Sequence, residues 1–336
     1  MSRMQSAERV WSEAEWERLE GAAARALLAA ERTPEPRRAV APYARRVMRT
    51  YTSSFYIVTR FLPAAKRSDV EIIYANVRYP DEVVDTFELS PAERQDRLDT
   101  WEKAYERALG APTAADAVRA GVPAFLAALT ELIRAYGIPE EHYRSFMAAM
   151  RADVRPRVYA DMPALIDGYV YGSAVVVGYF LTHVFGPSEP GRLDDALKAA
   201  RELGIGLQMT NFLRDVGEDR ARGRVYLPAD RLAEAGIDAA SLSPVDDTRL
   251  SRVVAGLAAE NDARYAAALD ALSAFAADAQ PAIAACIRVY RLLNDRLVSG
   301  GGGIETRASV PFSVKFRALP SCKYWVLPYA YLRDRL

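Results

Sequence analysis

The apolar residues of this chain return every three or four positions almost throughout, and almost nowhere at every second position. That spacing lays an apolar stripe along one side of an α-helix, whereas a half-buried strand needs a period of two. Between Ser68 and Phe87, for example, Val70, Ile73, Tyr74, Val77 and Val84 follow it. Further helices are expected over 5–31, 91–109, 113–136, 139–155, 162–185, 190–218, 228–235, 247–277 and 279–298, with Gly and Pro between them. The Pro-rich run 32–42 reads as a loop, and the aromatic and β-branched run YTSSFYIVTRF (51–61) gives way to the next helix only near Lys66. Pro80 has no N–H to donate and should kink or break its helix. Gly300 to Gly303 read as a flexible connection, because no strand precedes them and G-x-G-x-x-G spacing is absent.

No linker is long or polar enough to divide the 336 residues, so one all-α domain is expected: a helix and loop over 1–42 flanking a main body over 43–336. With 44 Lys plus Arg against 44 Asp plus Glu, bulk charge argues against nucleic-acid binding. Two cysteines (Cys286, Cys322) and two histidines (His142, His183) make neither a disulfide framework nor a zinc site, and a reducing cytoplasm fits them. The N-terminus is charged from its third residue, unlike a secretory signal. Residues 168–188 carry no charge and are long enough to cross a bilayer, but four glycines, a histidine and several hydroxyls favour a buried helix.

Two segments carry the chemistry. Arg78-Tyr-Pro-Asp81-Glu-Val-Val-Asp85 and Asn211-Phe-Leu-Arg214-Asp215-Val-Gly-Glu218-Asp219 each set two aspartates one helical turn apart, on one face. Like charges at that spacing repel by about 0.2–0.5 kcal/mol, and a divalent cation reverses the sign. Carboxylate oxygens suit Mg²⁺, which shares its coordination with substrate phosphates, and Asn211 adds an amide oxygen one turn before Asp215. Arg78, Arg214, Arg220, Arg222 and Arg224 cluster around these segments and suit phosphate oxygens; Ser53, Ser54 and Tyr56 offer hydroxyls. A plainer reading pairs Arg78 with Glu82 and Arg214 with Glu218 on solvated helix surfaces, and makes the serines helix caps. Trp101, Trp325, Phe125 and Phe146 read as packing residues.

These residues resemble the squalene/phytoene synthase family, the trans-isoprenyl diphosphate synthases that join two prenyl diphosphates head to head. YTSSFYIVTRFLP, YANVRYPDEVVD, DGYVYGSAVVVG, QMTNFLRDVGEDRARGRVYLP and VYRLLNDRL run in family order from about 51 to 298. The resemblance implies a single-domain isoprenoid synthase-type helical bundle around a central cavity, and it implies roles. Asp81 and Asp85 would hold Mg²⁺ (Mn²⁺ as an alternate ion) for one diphosphate; Asn211, Asp215 and Asp219 would do so for the other. Arg78, Arg214, Tyr226, Ser53 and Ser54 would contact diphosphate, with Tyr56 beside them. Tyr169, Val177, Gly178, Gln208 and Tyr290 would line the reaction chamber, Tyr290 among the catalytic groups. Ionisation of one allylic diphosphate, alkylation of the other's double bond and proton loss would give a cyclopropylcarbinyl diphosphate; a second ionisation would join the two C1 carbons.

The implied partners are two geranylgeranyl diphosphates giving phytoene, or farnesyl diphosphates giving dehydrosqualene or squalene, the last requiring NADPH. Elongases favour D-D-x-x-D, where this chain has Asp81-Glu82-Val83-Val84-Asp85, and a non-catalytic relative would be expected to lose carboxylates that are all present here. So greasy a product makes contact with a membrane surface an expectation. Nothing in the sequence specifies an oligomeric state. Val175, where the family has a small residue, and Pro80 depart from the pattern.

Overall fold

A computed structural model describes residues 11–239, 248–299 and 308–333. The expectations for Gly300–Gly303 and for residues 5–10 fall outside them. Every regular element among the described residues is helical, and packing gathers the chain into two compact units, Met1–Met150 and Arg151–Leu336.

The first unit holds α1 (Glu13–Ala29), a 3₁₀ turn (Pro36–Ala39), α2 (Ala41–Tyr51), α3 (Ser53–Thr59), α4 (Ala64–Asp85), α5 (Pro91–Gly110), α6 (Ala114–Arg119), α7 (Ala124–Tyr136) and most of α8 (Glu141–Val154). A capping box starts α1: Ser12 accepts the Glu15 N–H while the Glu15 carboxylate accepts the Ser12 N–H. Its buried stripe, Trp16, Leu19, Ala23 and Leu27, turns inward, and Trp16 meets Phe125 of α7 edge-on at 6.4 Å. Glu20 then caps α7, accepting the Ala124 N–H at 2.7 Å where Pro123 has no side-chain oxygen to offer. Burial pushes the Glu20 carboxyl up to about 7, against the Ala124 and Phe125 N–H groups that donate to it.

One sequence expectation fails here, and a second is narrowed. The run before Lys66 is not irregular: α2 and α3 occupy it, joined at Thr52. Aromatic and β-branched residues lower intrinsic helix propensity by only tenths of a kcal/mol each, and burial of Val47, Met48, Tyr56 and Val58 overrides that. Pro80 does not break α4, which runs unbroken to Asp85. A proline leaves the carbonyl four residues earlier without its helical donor. That carbonyl belongs to Asn76, and the buried Tyr143 hydroxyl donates to it at 2.8 Å, while Trp101 Nε1–H donates to the same hydroxyl at 2.8 Å. A side-chain donor from α8 thus replaces the missing backbone bond just before Asp81. Tyr143→Phe should cost roughly 1–3 kcal/mol, because a buried carbonyl and an indole N–H both lose their partner. In a Pro80→Ala background, which restores a backbone donor, urea denaturation should show that cost reduced by on the order of 1 kcal/mol.

The second unit runs through α9 (Met162–Leu165), a π-helical stretch (Ile166–Val175) and α10 (Val176–Phe185) without a break, then α11 (Leu193–Ala221), α12 (Ala229–Glu234), α13 (Thr248–Asp270), α14 (Gln280–Val298), α15 (Phe312–Ala318) and α16 (Lys323–Arg333). Met162–Phe185 is the one described helix apolar and long enough to cross a bilayer, with mean hydropathy 1.4. It lies instead against α11 at two glycines: a Cβ on Gly178 would come within 3.2 Å of the Ala200 carbonyl, and one on Gly204 within 3.2 Å of the Val175 Cα. Val175 itself is fully buried, so its extra bulk sits in this helix contact. A polar knot ties α11 to α13 and α14. Tyr265 and Asn261 donate to the Gly206 carbonyl at 2.9 Å each, Thr210 lies 2.7 Å from the Tyr265 hydroxyl, and Asn294 donates to the Ala258 carbonyl. Buried hydrogen bonds between these helices fix the rotation of the helix that carries them.

Candidate active site

The first carboxylate segment ends α4. Asp81 and Asp85, one turn apart, are half-buried, while Glu82 between them is fully buried. Arg78 reaches both sides: its Nη1 lies 2.5 Å from Asp81 and its Nη2 pairs with Glu82. The guanidinium stacks 4.4 Å from the Tyr51 ring centroid. The Tyr51 hydroxyl accepts the Trp16 indole N–H at 3.2 Å. Burial raises the Glu82 carboxyl against the pull of Arg78. Glu82 is thus an internal anchor for Arg78, and Asp81 and Asp85 are the two acids this segment offers to a ligand. The helix cap before them is Thr52, whose hydroxyl accepts the Phe55 N–H at 3.2 Å, rather than either serine. Ser53 is exposed and Ser54 half-buried on the first turn of α3; Tyr56 is buried with its ring 4.3 Å from the Arg60 guanidinium carbon.

The second segment lies on α11. Gln208, Asn211, Asp215 and Asp219 are half-buried at three- and four-residue spacing, with Phe212, Leu213 and Val216 buried behind them. Arg214 grips Asp215 with two donors, Nε at 2.7 Å and Nη2 alongside, and not Glu218 as the i,i+4 pairing suggested. Tyr290, buried on α14, is close enough to Arg214 to act on its charge. The Asn211 side-chain oxygen is buried and accepts no hydrogen bond. A buried acceptor without a donor is costly, and a cation beside it removes the cost. With Asp215 and Asp219 on the same stripe, the oxygen-only donor set fits Mg²⁺. Among the described residues no group of three or more acidic, His or Cys side chains is placed to hold a metal ion.

Gly223, at φ 74°, turns the chain back after α11 and brings Tyr226 onto Phe212, stacked at 4.3 Å. The Tyr226 and Tyr169 hydroxyls both donate to the carboxylate of Asp153, at 2.5 Å from Tyr169, and Arg224 approaches the Asp153 carbonyl at 3.5 Å. Burial, then the Asp153 charge, raises both phenols well above their ordinary value, so they stay protonated donors. Sequence reasoning missed Asp153. It stands at the end of α8, outside both carboxylate segments, and only the fold brings it to Tyr169. Tyr226, expected on diphosphate, has its hydroxyl on Asp153 in this structure. Val177 is half-buried on α10, and Gly178 serves the close approach to Ala200.

A family model described as squalene/phytoene synthase matches residues 48–313. The chain is 35% identical over 218 residues to a presqualene diphosphate synthase of Zymomonas mobilis, covering 64% of this chain and 70% of that protein. It is 29% identical to a phytoene synthase of Arthrospira platensis, covering 86% and 94% of the two chains. It is also 29% identical to a chloroplastic phytoene synthase of Zea mays, of whose length it spans 64%. Among solved structures, a dehydrosqualene synthase in complex with ligand superposes with TM-score 0.68 over 85% of this chain and 96% of its own, at 22% identity. That likeness carries the all-α fold.

Proposed function

Because the chain belongs to the squalene/phytoene synthase family of prenyltransferases, we propose that it condenses two geranylgeranyl diphosphates head to head, through a cyclopropylcarbinyl diphosphate, to phytoene. The observation that carries the reading is the pair of oxygen stripes, Asp81 with Asp85 and Asn211 with Asp215 and Asp219. Each has an arginine already bonded to its aspartate and, in the second, a buried amide oxygen without a donor.

In this reading Asp81 and Asp85 hold Mg²⁺ toward one diphosphate, and Asn211, Asp215 and Asp219 toward the other. Bound there, the ion supplies neutralisation of the departing diphosphate's charge. Arg78 and Arg214 add charge-assisted donors to the phosphate oxygens, and Ser53 and Ser54 add hydroxyls. Glu82 and Tyr51 keep Arg78 aimed, which lowers the entropic cost of gripping phosphate. Tyr169, Val177, Gln208 and Tyr290 bound the apolar side, where exclusion of water protects the carbocations. The two phenols on Asp153 hold the wall of α11 in place and stay protonated, so they are donors and not bases. The product dissolves in lipid, and we place its delivery at a membrane surface on the cytoplasmic side.

The 35% identity to a presqualene diphosphate synthase favours a second reading, with farnesyl diphosphate as substrate and NADPH drawn in only if squalene is formed. One experiment separates the two: purified protein with Mg²⁺ and each diphosphate, with and without NADPH, followed by mass spectrometry of the extracted lipid. A C40 hydrocarbon from geranylgeranyl diphosphate is the expected product. A C30 product, or presqualene diphosphate, transfers the assignment to the second reading. A longer chain that still carries diphosphate from its own allylic end would mark an elongase and overturn both.

A further inference from the structure

The last two helices present a surface that the reaction does not use. On α16, Tyr324, Trp325, Tyr329 and Leu332 are 65% to 67% exposed, and Tyr331 is 40% exposed. At about 100° per residue these five and the exposed Pro328 fill one arc roughly 160° wide. The opposite side turns Leu327, Ala330 and Lys323 inward. The Lys323 ammonium donates to the Arg317 and Leu319 carbonyls at 3.1 Å each, so its charge is held off the outer face. On α15, Phe312 is 63% exposed, and Arg317 is exposed too. The chain's other tryptophans, Trp11, Trp16 and Trp101, are all buried. From Ala308 to Arg333 the sequence has Lys315, Arg317, Lys323 and Arg333 and not one Asp or Glu.

We propose that α15 and α16 form a docking surface for an anionic lipid bilayer. Tryptophan and tyrosine rings, apolar with one polar edge, settle at the headgroup level, and a helix lying in the interface buries an arc of this width. On α15 the exposed Arg317 and the half-buried Lys315 supply positive charge that matches phosphate headgroups. With Leu327, Ala330 and Lys323 turned inward, α16 offers this arc to a membrane surface along its side. A symmetric contact with a second copy through both helices would bring Lys315 and Arg317 toward their own copies, which charge complementarity disfavours. The proposal deepens the membrane delivery placed above, yet its support is this surface and not the chemistry.

The test uses the full chain and vesicles of phosphatidylcholine, with or without phosphatidylglycerol. Binding should be about tenfold or more stronger to the anionic vesicles, and brominated lipid should quench the Trp325 emission. Trp325→Ser with Tyr329→Ser and Leu332→Ser should weaken binding by about tenfold or more with unchanged circular dichroism, and Lys315→Glu with Arg317→Glu should erase the preference for anionic lipid. Sedimentation of the triple variant like the parent, or binding without quenching, overturns the proposal. So does a dimer in lipid-free solution that the triple variant dissociates. Turnover is read separately in detergent. A parent that turns over but ignores vesicles refutes the docking surface alone; one that binds vesicles but turns over nothing refutes the assigned reaction alone.

Discussion

Asp215→Ala should lower kcat on the order of 10²–10³-fold and raise the Mg²⁺ concentration needed for half-maximal activity. Asp215 stands between two partners. Arg214 already holds it with two donors, and one turn earlier Asn211 presents a buried oxygen that no protein group satisfies. Removing the carboxylate takes one hard ligand from the stripe and leaves Arg214 to pair with whatever remains. Asp81→Ala should behave alike on α4, where Arg78 keeps Glu82 and so stays in place. Glu218→Ala is the control: it is an acid of the same segment but exposed, and its activity should stay within about twofold, as surface substitutions usually do. Circular dichroism of each variant separates lost chemistry from lost fold. Full activity in both aspartate variants would remove these residues from the site.

Why the two stripes were legible, and Asp153 was not, follows from range. Aspartates at i and i+4 share a helix face wherever the helix forms, so Asp81 with Asp85 and Asp215 with Asp219 needed only local periodicity. The same rule cannot tell which neighbours turn inward. Glu82 looks like a third acid of the first motif, yet its burial makes it the anchor of Arg78. Asp153 meets Tyr169 and Tyr226 across 16 and 73 residues, a tertiary event with no local signature. Helix boundaries failed for a related reason. Thr52 and the residues after it have weak helical propensity, and only burial of Tyr56 and Val58 decides their conformation. Pro80 shows the limit of a correct rule: the lost hydrogen bond is real, but Tyr143, 67 residues from Asn76, supplies a substitute. The π-helical Ile166–Val175 had no counterpart in the sequence reading.

Glu71→Ala should destabilise the protein by about 3–5 kcal/mol, the cost of leaving a buried charge without its counter-ion. The Glu71 and Arg60 side chains are fully buried and paired, and Arg45 from α2 adds its Nε at 3.2 Å. Three elements meet there: α2, the end of α3 and α4. The Arg60 guanidinium also lies over Tyr56, so the ion pair holds α3, with Ser53 and Ser54 on its first turn, against the helix that carries Asp81 and Asp85. Natural domains are stable by only about 5–15 kcal/mol, so the alanine variant stands near the edge of folding, and Glu71→Gln, which keeps the shape and loses the charge, gives the measurable intermediate. Replacing both partners, Arg60→Met with Glu71→Leu, should recover most of the loss, since apolar packing of similar volume needs no desolvation of charge. Urea denaturation at constant m-value reads all three. Recovery of stability without recovery of KM for the diphosphate would show that the pair is kept for the position of α3; recovery of both would reduce it to a packing element.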